Sequence, residues 1–358
     1  MKSDQGKEGV SSRRKILMAG LVVLLVVAAI NAMVWGSVSI EWRKVLAIII
    51  EAMPLGIVFD DLGIQAVHRD ILLQIRLPRV LLAAAVGSSL AVAGAVFQGL
   101  FRNPMADPYV IGISSGAALG AVFAMLSGFS LAVGGFGAVP LFAFAGGIIT
   151  IMVVYSMARV GRAVPVMTLL LAGIAVSAFL SALVSLLTYF AGEKLHMVVF
   201  WMMGGLGGAT WHQVRVMVPY ALAGFICVSI FSRELNAMLL GEETASNLGV
   251  NTEGVKKILL VGSSLLVAAA VSTSGIIGFV GLVVPHFIRL VAGPDHRFLM
   301  PASALLGGTL LIATDTLARV VIAPSELPVG IITALIGAPM FVYLLKKRKK
   351  LRYFGGGG

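Results

Sequence analysis

The sequence predicts an all-α, polytopic membrane protein of about ten transmembrane helices. Hydrophobic residues make up 59% of the chain and charged residues only 12%, against about 25% charged in an ordinary soluble domain. Mean hydropathy is +1.00. The apolar windows are long and continuous, whereas the strands of an outer-membrane barrel alternate. Lipid offers no partner to backbone N–H and C=O groups, so each window must pair them internally, as a helix.

The first window, 16–36, follows Arg13, Arg14 and Lys15. It is longer than the roughly 7–15 apolar residues of a signal-peptide core, so it reads as an uncleaved first helix. Further spans are predicted at 79–100, 111–129, 138–158, 166–190, 213–232, 256–274, 276–291, 300–322 and 329–345, each about 17–25 residues. The eighth is short and rich in Gly and Pro. The expected division is a 1–15 cytoplasmic N-terminus, a 16–345 transmembrane domain and a 346–358 basic tail. Gly355–Gly358 reads as an expression scar or a disordered end. Cys227 is the single cysteine, which excludes an internal disulfide and argues against a cysteine metal cluster.

Charge sets the expected orientation. With the N-terminus inside, the inner segments hold Arg102, Arg159, Arg162, Arg233, Lys256, Lys257, Arg289 and Arg297, together with both basic ends. The outer segments keep Arg43, Lys44, Arg69, Arg76, Arg79, Lys194, Arg215 and Arg319. Most of the 27 Lys and Arg then lie inside, so the positive-inside rule places both termini in the cytoplasm. The basic balance is a topology and lipid-headgroup signal and calls for no nucleic acid.

Val86-Gly87-Ser88-Ser89-Leu90 is echoed by Val261-Gly262-Ser263-Ser264-Leu265. One copy lies in the second span and the other in the seventh, an odd offset that fits an inverted repeat of helices 2–5 and 7–10. Small residues also recur wherever membrane helices pack closely. Gly87, Ser88, Ser89, Gly94, Ser114, Ser115 and Gly116 accordingly have two readings, lining a pore or packing helices.

Polarity rises in the segment 239–250, with Glu242, Glu243 and Asn247. Ala245 and Leu248, three apart, can share a helical face, and Gly249 tolerates the left-handed turn that ends a helix. Composition leaves a docking helix and a solvated loop both open. Arg76 and Arg79 break the positive-inside trend. They suit either bidentate carboxylate recognition or interfacial snorkelling. Asp315 lies within the ninth span, four residues before Arg319. An intramembrane acid is costly unless paired, so an Asp315–Arg319 pair is expected rather than a proton relay. Trp201, Met202, Met203 and Gly204 open a Gly-rich outer segment. Asn103, Pro104 and Asp107, with Pro285 and His286, belong to two inner segments where Asp107 or Asn103 can cap the third span. The five histidines show no ligand spacing, so no metal site is expected. The sequence contains no phosphate-binding GxxxxGK[ST] loop and no catalytic constellation, so the chain reads as no enzyme.

The stretches 76–121, 239–250, and 275–308 followed by 326–345, together resemble the FecCD family of permeases, the membrane subunits of type II ABC importers for iron-siderophores, haem and vitamin B12. The resemblance covers nearly all of 76–345. It implies alternating access of a metal chelate through a pore made by two permease copies. It further implies two separate ATPase subunits carrying ATP and Mg, and an extracytoplasmic binding protein. It implies a coupling helix at Gly241, Glu242, Glu243, Ala245, Leu248 and Gly249, and docking of the binding protein by Arg76, Arg79 and Arg319. An outer gate is implied at Trp201, Met202, Met203 and Gly204, and an inner pathway end at Asn103, Pro104, Asp107, Pro285 and His286. No cofactor is expected on this chain, and the location implied is a bacterial or archaeal cytoplasmic membrane. The rival reading is an ion-coupled secondary transporter, which the repeat and Asp315 would suit.

Overall fold

The computed structural model describes residues 2–36, 38–52, 59, 62–129, 137–161 and 163–354. Arg162 and Gly355–Gly358, used above, lie outside the described residues. In order, the helices are α1 (Lys2–Val34), α2 (Trp42–Ala52), α3 (Ala66–Asp70), α4 (Leu77–Leu100), α5 (Ile113–Ser127), α6 (Ala138–Ala158), α7 (Val166–Tyr189) and α8 (Leu195–Met202). They continue as α9 (Trp211–Ile230), α10 (Ser232–Met238), α11 (Glu242–Asn247), α12 (Thr252–Ser274), α13 (Val280–Ala292), α14 (His296–Val320) and α15 (Val329–Phe354).

Every predicted span coincides with one of these helices. Seven helical stretches are long and apolar enough to cross a membrane, and α5, α13 and the first half of α15 are shorter apolar helices. The boundaries differ where a helix extends past its apolar window. α1 starts at Lys2 rather than near residue 16, and α15 continues through the basic tail. α3 runs into α4 through π-helical turns at Ile71–Arg76, so the second span begins before residue 79. The eighth span loses its first residues because Gly275–Gly278 are not helical. α2 and α10 were not anticipated. α2 is too short to span, but its Val45, Ala47 and Ile48 are buried on one side, as an amphipathic period requires.

α4 is the centre of the bundle. It packs against α14, α12, α9 and α13, and 83% of its apolar window is buried. Lipid does not drive helices together as water does, so close backbone approach supplies the packing energy. A Cβ at Gly87 would fall 2.3 Å from the Gly307 carbonyl oxygen, and one at Gly94 only 1.8 Å from that of Gly281. A Cβ at Gly116 would fall 1.9 Å from the Thr150 hydroxyl and 2.5 Å from the Gly146 carbonyl oxygen of α6. Of the two readings open for these glycines, the structure shows helix packing. Both copies of the Val-Gly-Ser-Ser segment lie on the two most buried spans, α4 and α12.

The connections gather at two opposite ends. Arg14 reaches Asp295, the backbone N–H of Val164 reaches Glu253, and Asn236 reaches Asp295. These contacts assemble the end predicted as inner. At the other end Trp211 Nε1 donates to the Leu73 carbonyl and Lys194 to those of Met125 and Leu126.

Candidate functional site: two polar ends of an apolar bundle

At the end predicted as outer, π-helical turns deliver Arg76, and Pro78 opens α4 beside Arg79. Arg79 is buried. Its Nε and Nη2 hold Asp315 of α14 at 2.9–3.0 Å, and its Nη1 holds Glu326 at 2.9 Å. Arg319 Nε lies 3.3 Å from Asp315 but makes no hydrogen bond there. The expected Asp315–Arg319 pair is therefore present as a charge contact, while the hydrogen bonds to Asp315 come from Arg79.

The other two arginines serve α1. The last carbonyls of a helix have no intrahelical donor. Arg76 donates to the carbonyls of Met33, Val34 and Val38, and Arg319 Nη2 donates to that of Ala32 at 3.2 Å. Cations there also suit the negative end of the helix dipole. Gly36 makes room, since a Cβ on it would sit 2.6 Å from Arg76 Nη2. All three arginines assigned to binding-protein docking thus point into the chain, at 3–5% exposure.

The segment expected to form the outer gate is knitted to two others. The N–H of Gly205 donates to the Ser274 carbonyl at 2.7 Å. A Cβ on Gly330 would fall 2.1 Å from the Met203 carbonyl oxygen, and one on Gly275 2.2 Å from that of Trp201. Gly204 combines a φ of +69° with an approach of 2.4 Å to the Ile276 carbonyl, so only glycine fits. Trp201 and Met202 are half-buried and Met203 is exposed.

At the opposite end α11 is fastened rather than free. Gly241, at φ +123°, breaks the chain out of α10, and Gly249, at φ +85°, ends α11. Lys256 Nζ of α12 holds Glu242 at 2.8 Å and Glu253 at 2.5 Å. Ala245 is fully buried. Leu248 does not share that burial: it follows the last helical residue and is 66% exposed, as is Leu240 at 70%. Glu243 is exposed. The segment therefore presents Leu240, Glu243 and Leu248 outward on a base fixed by Ala245 and Glu242.

Nearby, Asp107 accepts from Tyr109 N–H at 2.8 Å. It caps the 3-10 turn Pro108–Ile111 rather than α5 itself, whose cap is Gly112. Burial pushes the Asp107 carboxyl up against that hydrogen bond. Asn103 accepts from Met105 N–H, and Pro104 and His286 line a pocket of about 270 Å³ with Gln98, Arg102 and Arg289. Gln98 donates to the Leu282 carbonyl and accepts from Arg289, tying α4 to the stretch of α13 interrupted by Pro285. Sequence reasoning missed Gln98, Lys256, Glu326, Asn236 and Asp295. The last two form a node with Arg14, Arg297 and His296. Among the described residues no group of three His, Cys, Asp or Glu could hold a metal ion.

A polytopic helical bundle, apolar within and polar at both ends, with the buried Asp315 tied up by arginine, has the build of a membrane permease. The FecCD transport family model matches residues 22–347. A cobalamin import system permease protein, BtuC, of Halobacterium salinarum is 48% identical over 287 residues, covering 80% of this chain and 76% of that one. The hemin transport system permease protein HmuU of Yersinia pestis is 40% identical over 347 residues, covering 94% and 97%. A solved structure described as an inward-facing conformation of a metal-chelate type ABC transporter superposes with a TM-score of 0.79 at 33% identity, covering 93% of this chain and 99% of that one. The chain belongs to the FecCD transport family and is an ABC-transporter permease. The ion-coupled alternative is not favoured.

Proposed function

We propose that this chain is the pore subunit of an importer for a metal chelate, of the ferric-siderophore, haem or corrinoid class, into the cytoplasm. It is driven by a separate ATPase and works as a pair of identical copies in the cytoplasmic membrane with both termini inside. The observation that carries the reading is α11: a short helix rigidly tied to α12 by Lys256, offering exposed Leu240 and Leu248 around Glu243. Apolar anchors on a fixed helix suit a groove in a partner. A rigid base lets a push on α11 be passed to α12, which packs on α4. Trp201–Gly204 then acts as the outer gate because it joins α8, the end of α12 and the start of α15. The inner segments around Asn103, Pro104, Asp107, Pro285 and His286 form the cytoplasmic end of the path.

Binding-protein docking falls at the opposite end. Glu326, 44% exposed, is the outward member of the Arg79 cluster. An acidic side chain of the binding protein reaches Arg79 by taking its place.

The test is reconstitution with an ABC ATPase subunit as partner. Leu240→Asp/Leu248→Asp is expected to abolish ATP-driven uptake with the permease still folded. Glu243→Lys adds a smaller loss. Unchanged uptake by the double variant would sink the docking assignment.

A further inference from the structure

Between α9 and α14 the bundle lies open down to α4, leaving a groove of about 430 Å³. Its walls are apolar, with Leu81 from α4, Val218, Leu222 and Phe225 from α9, and Leu305 from α14. Ser88 and Ser89 also line it, but both hydroxyls are used within the chain. Ser88 Oγ donates to the Ala304 carbonyl at 2.7 Å and Ser89 Oγ to that of Ala85 at 2.8 Å. The groove therefore offers a hydrocarbon surface and no unmet polar group, which is unsuited to water or a polar cargo.

Its length is that of one leaflet. The α4 wall runs from Leu81 to Val92, about 16 Å at a helical rise of about 1.5 Å per residue. That is roughly half of a ~30 Å hydrocarbon core. A charge sits at the mouth. Arg215, Val218, Leu222 and Phe225 follow one another at helical spacing along a single stripe of α9. Arg215 is exposed, and no described carboxylate pairs with it. Side chains on a helix lean toward its N-terminus, which carries the guanidinium away from the apolar walls. One turn further along the same stripe stands Trp211, whose indole N–H donates to the Leu73 carbonyl. Tryptophan in that place marks the membrane–water boundary.

We propose that this groove holds an acyl chain of one anionic phospholipid, with the lipid phosphate paired to Arg215. The groove requires only that the chain spans a membrane; its assignment to the outer leaflet rests on the orientation proposed above. The guanidinium fork matches phosphate oxygens, and the chain fills a space that α9 and α14 leave unclosed.

Native mass spectrometry of the full chain in mild detergent tests this, with phosphatidylglycerol and phosphatidylcholine of identical acyl chains as probes. One phosphatidylglycerol per chain is expected to be retained in preference to phosphatidylcholine. Arg215→Gln, at an exposed position that spares the fold, is expected to weaken phosphatidylglycerol retention about fivefold and phosphatidylcholine retention less, because choline already offsets its phosphate charge. Ala221→Phe, which fills the groove, is expected to reduce both. Equal retention of the two lipids by the parent chain overturns the proposal, as does phosphatidylglycerol retention that Arg215→Gln leaves unaltered. ATPase co-purification from the same samples reads the importer assignment separately, so the two ideas fail independently.

Discussion

Arg79 and Asp315 are joined by three hydrogen bonds of 2.9–3.0 Å across 236 positions of sequence, with side chains 6% and 1% exposed. The contact locks α4 to α14 at the end predicted as outer. Burial of such a pair is weak evidence of net stability, because desolvation offsets the attraction. Removing one partner is a different matter, since it strands a buried charge.

Asp315→Leu or Arg79→Met alone is therefore expected to cost about 3–5 kcal/mol. The double variant Arg79→Met/Asp315→Leu should recover part of that, since it still leaves the buried Arg319 without its carboxylate. Glu326→Gln, at a 44% exposed partner, should cost under about 1 kcal/mol. Unfolding in detergent against denaturant reads all four. Additive losses in the double variant would show that the two residues act separately.

Lys256 carries the second prediction. Its side chain is 10% exposed and faces two glutamates that are each more than a third exposed. Exposure and salt screening limit the cost of Lys256→Met to about 1 kcal/mol. The functional loss should be larger, because Glu242 then no longer ties α11 to α12. Faster hydrogen exchange over 242–250 with ATP-driven uptake reduced at least tenfold is expected, and Lys256→Arg should restore much of it. Normal uptake beside fast exchange would mean that α11 need not be rigid.

The spans were legible because each is a long apolar window, and composition alone specifies that. The outward faces of α11 were half legible. Gly241 and Gly249 signal the breaks, but no local pattern says that Leu248 falls past the last turn and out of the buried face. Arg76, Arg79 and Arg319 stood out as outer cations. Apart from Asp315, expected beside Arg319, their partners did not: Met33 and Val38 are distant in sequence and contribute only backbone carbonyls, and Glu326 lies far from Arg79 in the chain. Gln98 and Asp295 carry no signal at all: each looks like an ordinary polar residue at a helix end until α13 and α1 are folded against it.

Asp295 gives a pH prediction. Burial opposes its ionisation, but hydrogen bonds from Arg297, Asn236 and Arg14 outweigh that and hold its carboxyl well below the usual carboxylate range. A depressed folded value stabilises the fold above the unfolded aspartate value of about 3.9 and loses that contribution as pH falls through the folded value. The Asp295→Asn variant should therefore be less stable than the parent, by on the order of 1 kcal/mol given the exposed Arg297 partner. That gap should be constant from neutrality to about pH 5 and shrink below about pH 4. Since Arg14 is one of the donors, exchange should quicken at the start of α1 as well. A gap that widens on acidification would contradict the assignment.

The tightest helix contact yields the last prediction. Pro285 has no N–H, so the Gly281 carbonyl four residues earlier lacks its usual helical partner. It faces Gly94, where a Cβ would lie 1.8 Å from the oxygen and 2.8 Å from Gly281 Cα. Backbone, unlike a flexible side chain, cannot swing aside. Gly94→Ala must push α4 and α13 apart along the most buried helix of the bundle. A loss of about 3 kcal/mol is expected, the upper part of the usual overpacking range. Gly278→Ala is the control, because a Cβ there meets nothing within 4 Å and its effect should stay within about 0.5 kcal/mol. Midpoints of thermal unfolding in one detergent compare the two. Equal midpoints would mean that α13 shifts freely on α4, and the close-packed centre described above would have to be abandoned.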